Sequence, residues 1–363
     1  MADPRPTRRD LIGTAALAGV GAALPAGADE PAAPAAAPAA GLRIVTSHNG
    51  VEAAKVARQA LIEGKDPLDA AIAGVNVVEL DPDDYTVGYG GIPNEDGVVE
   101  LDAAVMDGRT MRAGAVGALR GVKTPSKVAR LVMDRTDRVF LVGEGARRFA
   151  TAHGFPDEDL LTEKTRKIYR YWKDRLSDSD DWVESGKEAD DPVIREFIRR
   201  HGDEFFRPQG TIHLSIRSAK GELVGVTTTS GLFFKIPGRL GDSPVVGAGL
   251  YAEGGVGACG STGRGEANLV TCGSHTVVEE LRKGKSPEEA CLVALARIAE
   301  KTHLVPRHRD AQGRPRFGVT FYAVDARGRT AGASIWSGQK YVVGDDEGVR
   351  TLDAAYLYRK PAT

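Results

Sequence analysis

Hydrophobic residues change their spacing several times along this chain, and each change marks an element. Leu42 to Thr46 is a short apolar run and predicts a strand. Ala, Val and Leu then recur at helical spacing from Val51 to Glu63, and Gly64 sits where a helix C-cap belongs. Asp66-Pro67 opens a second helix that ends near Leu80. The aspartate is its N-cap, and a proline in the first turn gives up no hydrogen bond. Gly88-Tyr89-Gly90-Gly91-Ile92-Pro93 is a tight glycine-rich loop. Val98 to Met106 predicts a strand that turns at Asp107-Gly108. Thr124-Pro125 starts a helix with Val128, Leu131 and Val132 on one face. Val139 to Val142 predicts a strand, and Glu144 to His153 a helix closed by Gly154.

From Asp157 to Arg207 the character changes. The stretch is charged, holds an acidic cluster around Asp178 to Asp181, and sustains no apolar stripe. It predicts a solvated, partly helical surface segment, 157–208. After Thr211 the period falls to two: Ile212, Leu214 and Ile216 alternate with polar residues. Lys220-Gly221 makes a hairpin turn, and Leu223 to Thr229 returns as the partner strand. Ser286-Pro287-Glu288-Glu289 is a capping box that opens a helix through Ala299. Phe317 to Val324 and Thr330 to Trp336 predict two more strands joined around Arg327-Gly328. No dinucleotide fingerprint follows the first strand. An α/β sandwich of stacked sheets flanked by helices accounts for this pattern better than a doubly wound sheet.

The ends add an address. Arg8-Arg9 stands directly before an Ala-rich apolar run from Leu11 to Leu24, and Ala26-Gly27-Ala28 offers the small residues that a signal peptidase reads. The run is too short for a permanent membrane helix. Residues 1–28 are therefore expected to be a twin-arginine export signal, with the mature protein periplasmic or secreted. Residues 29–41, almost all Ala and Pro, read as a linker. The rest is long enough for one large domain. Net charge is −2, with 48 basic and 50 acidic residues interspersed, so nothing argues for nucleic acid. No further segment is apolar enough to span a membrane, which leaves no membrane contact once the signal is removed. Cys259, Cys272 and Cys291 show no metal-ligand spacing and read as small core residues, although an exported protein could pair two of them.

The candidate chemistry lies between Gly210 and Gly265. Gly210-Thr211-Ile212-His213-Leu214-Ser215-Ile216 is followed by Thr227-Thr228-Thr229-Ser230-Gly231. Then come Gly238-Arg239-Leu240-Gly241-Asp242-Ser243-Pro244 and Gly260-Ser261-Thr262-Gly263-Arg264-Gly265. Read singly, Thr211 is an ordinary strand threonine, Thr229 one more β-former, Arg239 and Asp242 a surface ion pair at a turn, and the glycines after Cys259 a loop. In this order and spacing the blocks resemble the glycosylasparaginase family of N-terminal-nucleophile hydrolases, over roughly residues 42 to 340. Thr46, the Gly88–Pro93 loop, Leu101-Asp102 and Met106-Asp107-Gly108 extend the likeness upstream.

The resemblance implies a four-layer αββα sandwich and a precursor that cuts itself between Gly210 and Thr211. Residues 42–210 would form an α chain and 211–363 a β chain of the same domain, two such pairs making a dimer. Thr211 would be the nucleophile, with Thr229 bonded near it to tune it. Thr262 and Gly263 would form the oxyanion hole. Arg239 would hold the α-carboxylate and Asp242 the α-amine of an asparagine-type substrate, a fork onto a carboxylate and an acceptor for an ammonium. Neither metal nor cofactor is implied. A threonine hydroxyl needs a base within reach. An N-terminal threonine brings its own amine, of pKa about 7.7–8.0, which suits a chain with 7 histidines and no serine-hydrolase elbow. The reaction implied is hydrolysis of the side-chain amide of an N4-substituted asparagine to aspartate and an amine.

Three departures from the family pattern bear on this. Gln209-Gly210 stands where histidine followed by aspartate or glycine is usual, and an acidic neighbour helps self-cleavage in many members. His213 stands where glycine is common. Thr46-Ser47-His48 lacks a substrate-contacting tryptophan, with His48 read as an ordinary loop residue in preference to a replacement for that wall. The missing tryptophan favours, as an alternative, an L-asparaginase or β-aspartyl peptidase on the same site. The changes around Thr211 motivate another, an uncleaved non-catalytic binding protein on the same fold.

Overall fold

The computed structural model describes residues 41–176, 190–201 and 209–360. The expected export signal and, apart from Gly41, the Ala/Pro linker lie outside the described residues. So does the acidic cluster at 178–181.

The first helices form where the pattern places them. β1 (Arg43–Ser47) leads into α1 (Val51–Ile62) and α2 (Pro67–Glu79). Asp66 caps α2 by accepting from the Leu68 N–H at 2.9 Å, so one orphan donor of the first turn is satisfied. β2 starts at Leu101 and not at Val98, because the Val98 N–H is taken by the Asn94 side chain at 3.0 Å and the chain is still turning there. β3 (Arg112–Leu119), rich in Ala and Gly, carries no periodic signal and is held by pairing with β2. α3 (Pro125–Arg135), β4 (Phe140–Val142) and α4 (Gly143–Ala152) complete this part.

β5 (Gln209–Arg217) and β6 (Leu223–Leu232) form the expected hairpin. β11 (Lys340–Asp345) and β12 (Gly348–Asp353) add an outer hairpin. The resulting eight-stranded sheet has the order β12-β11-β1-β5-β6-β2-β3-β4. A second sheet of five strands is built from β7 (Leu250–Glu253), β8 (Gly257–Gly263), β9 (Val319–Asp325), β10 (Thr330–Trp336) and β13 (Ala355–Tyr358), in the order β13-β10-β9-β8-β7.

α1 to α4 pack on the outer face of the large sheet; after the short α7 (Gly265–Leu269), α8 (Gly273–Arg282) and α9 (Pro287–Thr302) pack on the outer face of the small one. The two inner faces meet through β1, β5, β6, β8 and β9. The layers are therefore helices, sheet, sheet, helices. Each interface has its own core. Ile44, Val105, Ile212, Leu214, Val224 and Val226 pack toward the helices. Val45, Met106, Leu250, Ala258, Tyr322 and Val324 fill the space between the sheets. Cys259, Val277, Cys291, Leu295 and Phe321 lie under α8 and α9.

Two expectations need correction. The 157–208 segment is not only a solvated surface. α5 (Glu163–Lys173) and α6 (Pro192–His201) bury Ile168, Tyr171, Ile194 and Phe197 in a cluster with Tyr85, Ile92, Phe233 and Phe234. Trp172 stacks on Phe234 at 4.2 Å. The apolar positions were hidden among Lys and Arg whose charged heads face solvent, and each buried side chain contributes about 1.5–3 kcal/mol. Cys259 and Cys291 are buried as expected, but Cys272 is exposed; all three are free thiols.

Candidate active site

The pleat of β5 sorts its side chains. Ile212, Leu214 and Ile216 face the helices, so Thr211, His213 and Ser215 face the second sheet. On β6, Thr227 and Thr229 look the same way: Thr227 bonds His213, and Thr229 bonds Thr211. The result is a line of hydroxyls on the inner face of the sheet, a place where aliphatic residues would otherwise stand.

The pairing slips beside Thr211. Gly210 opposes Gly231 and Thr211 opposes Thr229, leaving Ser230 over as a β-bulge. Ser230 is used elsewhere: its N–H and hydroxyl donate to the Thr86 carbonyl at 3.0 and 2.7 Å. At the slip a short chain of hydroxyls forms. The Thr211 hydroxyl donates to Thr229 Oγ at 3.1 Å, and the Thr229 hydroxyl donates to the Gly210 carbonyl at 2.5 Å. The Gly231 N–H donates to Thr229 Oγ at 2.9 Å and holds it in place. A carbonyl polarised by a hydroxyl beside a second, attacking hydroxyl is what an N-to-O acyl shift requires.

Thr262 and Gly263 end β8, on the opposite sheet. The Thr262 hydroxyl shares a 2.8 Å hydrogen bond with the Tyr322 hydroxyl. Burial pushes Tyr322 up to about 12, so the phenol is neutral. Gly263 has φ +115°, and a Cβ there would stand 2.4 Å from the Gly318 carbonyl oxygen, so only glycine fits. Gly210, Thr211, Thr262 and Gly263 all line one cavity of about 1070 Å³.

Arg239 and Asp242 are not in the wall of that cavity. Arg239 donates through Nε and Nη2 to Glu266 Oε1 at 2.9 and 2.7 Å. Burial opposes the charge on Glu266, but the guanidinium outweighs it and holds the carboxyl below its usual range. A Cβ built on Gly231 would lie 3.5 Å from Arg239 Nη1, so the guanidinium stands close behind the Thr229–Gly231 turn. Asp242 is buried, and its Oδ2 accepts from Ser261 Oγ at 2.6 Å and from Asn268 Nδ2 at 2.7 Å. Burial raises its carboxyl against those two bonds. Ser261 is the chain neighbour of Thr262, so its bond ties Asp242 to β8. The loop that carries Arg239 and Asp242 is anchored from beneath. Lys235 Nζ donates to the Glu100 carbonyl at 3.0 Å and lies 3.7 Å from the buried Asp102 carboxylate. The Gly238 N–H donates to Glu100 Oε2 at 2.9 Å.

His213 turns out to be a packing residue with polar ends. Its ring nitrogens meet Thr227 Oγ and Ser215 Oγ, each at 2.8 Å. Burial lowers its pKa to about 3, so the ring is neutral. The room that glycine would leave on β5 is provided by β8 instead, where a Cβ on Gly260 would fall 2.0 Å from the ring. His48, read as an ordinary loop residue, lines the cavity. An aromatic wall exists despite the missing tryptophan: Phe317 and Trp336 line the same cavity. Trp336 is fixed by its indole N–H, which is 3.1 Å from both the Pro315 and Phe317 carbonyls. Neither residue carried a local signal: Phe317 lies just before β9, where the alternation predicts strand, and Trp336 is the last residue of β10. Among the described residues no three His, Cys, Asp or Glu side chains converge as a metal site would require.

Comparison with known proteins agrees with this architecture. The family model described as asparaginase matches residues 39–305. An N(4)-(beta-N-acetylglucosaminyl)-L-asparaginase of Elizabethkingia miricola is 38% identical over 304 residues, 84% of this chain and 80% of that protein. The Mus musculus protein of the same name is 37% identical over 249 residues, 66% of this chain and 71% of that protein. An isoaspartyl peptidase/L-asparaginase of Bos taurus is 37% identical over 254 residues, 69% of this chain and 75% of that protein. With the four layers, the hydroxyl chain on β5 and β6, and these matches together, the chain belongs to the asparaginase family of N-terminal-nucleophile hydrolases.

Proposed function

We propose that this protein is an exported, self-cleaving amidohydrolase that converts N4-substituted asparagine, with glycosylasparagine as the type substrate, to aspartate and an amine. The observation that carries the reading is the hydroxyl chain from Thr211 through Thr229 to the Gly210 carbonyl. It sets a nucleophile and a hydrogen-bond donor on the one peptide bond whose rupture would give Thr211 a free amine.

In maturation, Thr211 Oγ adds to the Gly210 carbonyl carbon, and Thr229 stabilises the developing oxyanion. The Thr211 nitrogen leaves, an ester forms, and water hydrolyses it. The α chain then ends at Gly210 and the β chain begins at Thr211. In turnover, the amine of Thr211 takes the proton of its own hydroxyl as that oxygen attacks the substrate amide carbonyl. Thr262 and the Gly263 N–H receive the oxyanion, the amine leaves, and water frees aspartate from the ester. Arg239 and Asp242 stand behind the cavity wall; by resemblance they take the free α-carboxylate and α-amine, which Arg239 does only by exchanging Glu266 for the substrate. Phe317 and Trp336 offer apolar faces to a sugar leaving group. Residues 1–28 direct export by the twin-arginine route, and two αβ pairs associate.

Intact mass and N-terminal sequencing of the wild type beside Thr211→Ala test this first. Two chains in the wild type, one beginning Thr-Ile-His-Leu, with a single chain in the variant, support the enzyme. A wild type that stays whole favours the binding-protein reading instead. The absence of a tryptophan at Ser47 supports the second reading, an L-asparaginase or β-aspartyl peptidase. Aspartate release from glycosylasparagine, asparagine and a β-aspartyl dipeptide, compared side by side, separates the two.

A further inference from the structure

Residue 210 carries no acid, and the reason is steric. A Cβ on Gly210 would stand 2.0 Å from Thr86 Cβ and 2.1 Å from Thr86 Oγ. Thr86 cannot step aside cheaply. Its carbonyl accepts from the Ser230 N–H and hydroxyl at 3.0 and 2.7 Å, at the bulge itself. Its own N–H and hydroxyl both donate to Asp84 Oδ1, at 2.9 and 2.5 Å. The space that a side chain at 210 would fill therefore holds a hydroxyl already bonded to a carboxylate. Asp84, Thr86, Gly210 and Thr211 all line the same cavity.

We propose that Asp84, acting through Thr86, supplies the acid–base function that residue 210 lacks and drives cleavage of the Gly210–Thr211 bond. This rests on the self-cleaving reading above. The Thr211 hydroxyl turns from Thr229 toward Thr86 as its oxygen attacks the Gly210 carbonyl carbon. Its proton passes to Thr86 Oγ while the Thr86 proton passes to Asp84. As the C–N bond breaks, the relay runs back and protonates the departing Thr211 nitrogen. An ester joins Gly210 to Thr211 Oγ. Water then gives a Gly210 carboxylate and a free Thr211 hydroxyl, and the relay ends as it began. Asp84 acts on the bond only through Thr86, so it is a positioning residue, and Thr86 is the group in contact with residue 210.

The test follows conversion of full-length precursor to two chains by gel and intact mass. Asp84→Asn keeps an oxygen for the turn to Thr86 and removes the basicity. It is expected to slow conversion about 100-fold or more, the usual range for loss of general acid–base help. Adding Thr86→Gly and Gly210→Asp to that variant removes every atom of the clash, Thr86 Cβ included, and moves the carboxylate to residue 210, and is expected to restore most of the rate. Formate is expected to speed conversion of Asp84→Ala, which a merely structural role would not allow. Conversion of Asp84→Asn at the wild-type rate overturns the proposal. So does a slow Asp84→Asn that the relocated acid does not restore, together with an Asp84→Ala that ignores formate. A wild type that never converts overturns the enzyme reading itself, whereas a wild type and Asp84→Asn that convert equally fast overturn only the relay.

Discussion

β5 and β6 show two different surfaces to the two layers they separate. Toward the helices they present Ile212, Leu214, Ile216, Val224 and Val226, a dry core in which each side chain earns stability by burial alone. Toward the second sheet they present Thr211, His213, Ser215, Thr227 and Thr229, all buried, with Thr211–Thr229 and His213–Thr227 bonded across the pair and Ser215 bonded to His213 along β5. A buried hydroxyl contributes little net stability once bonded but is costly when left unpaired. The inner face is thus the weaker packing surface and the better-defined one. One strand pair separates what holds the fold from the hydroxyls we propose for the chemistry, because its pleat alternates every residue.

Substitutions on the two faces should therefore move different observables. Thr211→Ala has the largest expected effect: the chain stays uncut and aspartate release falls by roughly 10⁶-fold, the order lost when a comparable hydrolase loses its nucleophile. Its unfolding midpoint should stay near wild type in the same preparation. If the midpoint collapses instead, the two faces are not separable. On the other face, Leu214→Ala should cost about 2–5 kcal/mol by denaturant unfolding, since a fully buried leucine leaves a cavity against α2. The turnover of whatever fraction remains folded and matured should be close to normal. A large drop in turnover per folded molecule would break the comparison.

Thr229→Val keeps shape and removes the donor to the Gly210 carbonyl. Conversion to two chains should slow about 100-fold, as for other single oxyanion donors, with kinetics followed by gel. Unchanged conversion would mean that the 2.5 Å contact has no part in cleavage. At neutral pH the smallest expected effect concerns His213, whose contribution changes only on acidification. Its folded pKa of about 3 lies below the unfolded value near 6.5. The unfolded state then binds the extra proton first, so stability is full above about pH 6.5 and falls as pH drops toward 3, by up to about 1.4 kcal/mol per unit. His213→Gln should flatten that acid slope in urea titrations at several pH values. An equally steep slope in the variant would assign the acid sensitivity to carboxylates that their arginine partners hold below the usual range, such as Asp66 or Glu266.

Much of the fold was legible because its signals are local. The caps at Asp66 and Ser286, the hairpin at Lys220-Gly221 and the period of two after Thr211 all depend on neighbours within a few residues, and the structure has each of them. The same alternation already separated Thr211 from Ile212 by face. The 157–208 segment was misread because its apolar residues are sparse on its helices and gain their partners only from Tyr85, Phe233 and Phe234, far away in the chain.

By itself, then, the sequence determined about half of the strands, the two faces of β5, the order of the chemical blocks and, through those blocks, the family. The tertiary structure alone decided which groups meet. The slip in pairing that puts Thr229 on the Gly210 carbonyl comes from two strands in register. Thr262 and Tyr322 reach the site because a second sheet lies on the first. Thr86 excludes a side chain at residue 210 from the far end of a loop, and Phe317 and Trp336 supply an aromatic wall that no nearby position foretold. Propensity and periodicity are set over a few residues, whereas a cavity is set by how whole layers pack, and that information is spread across the entire chain.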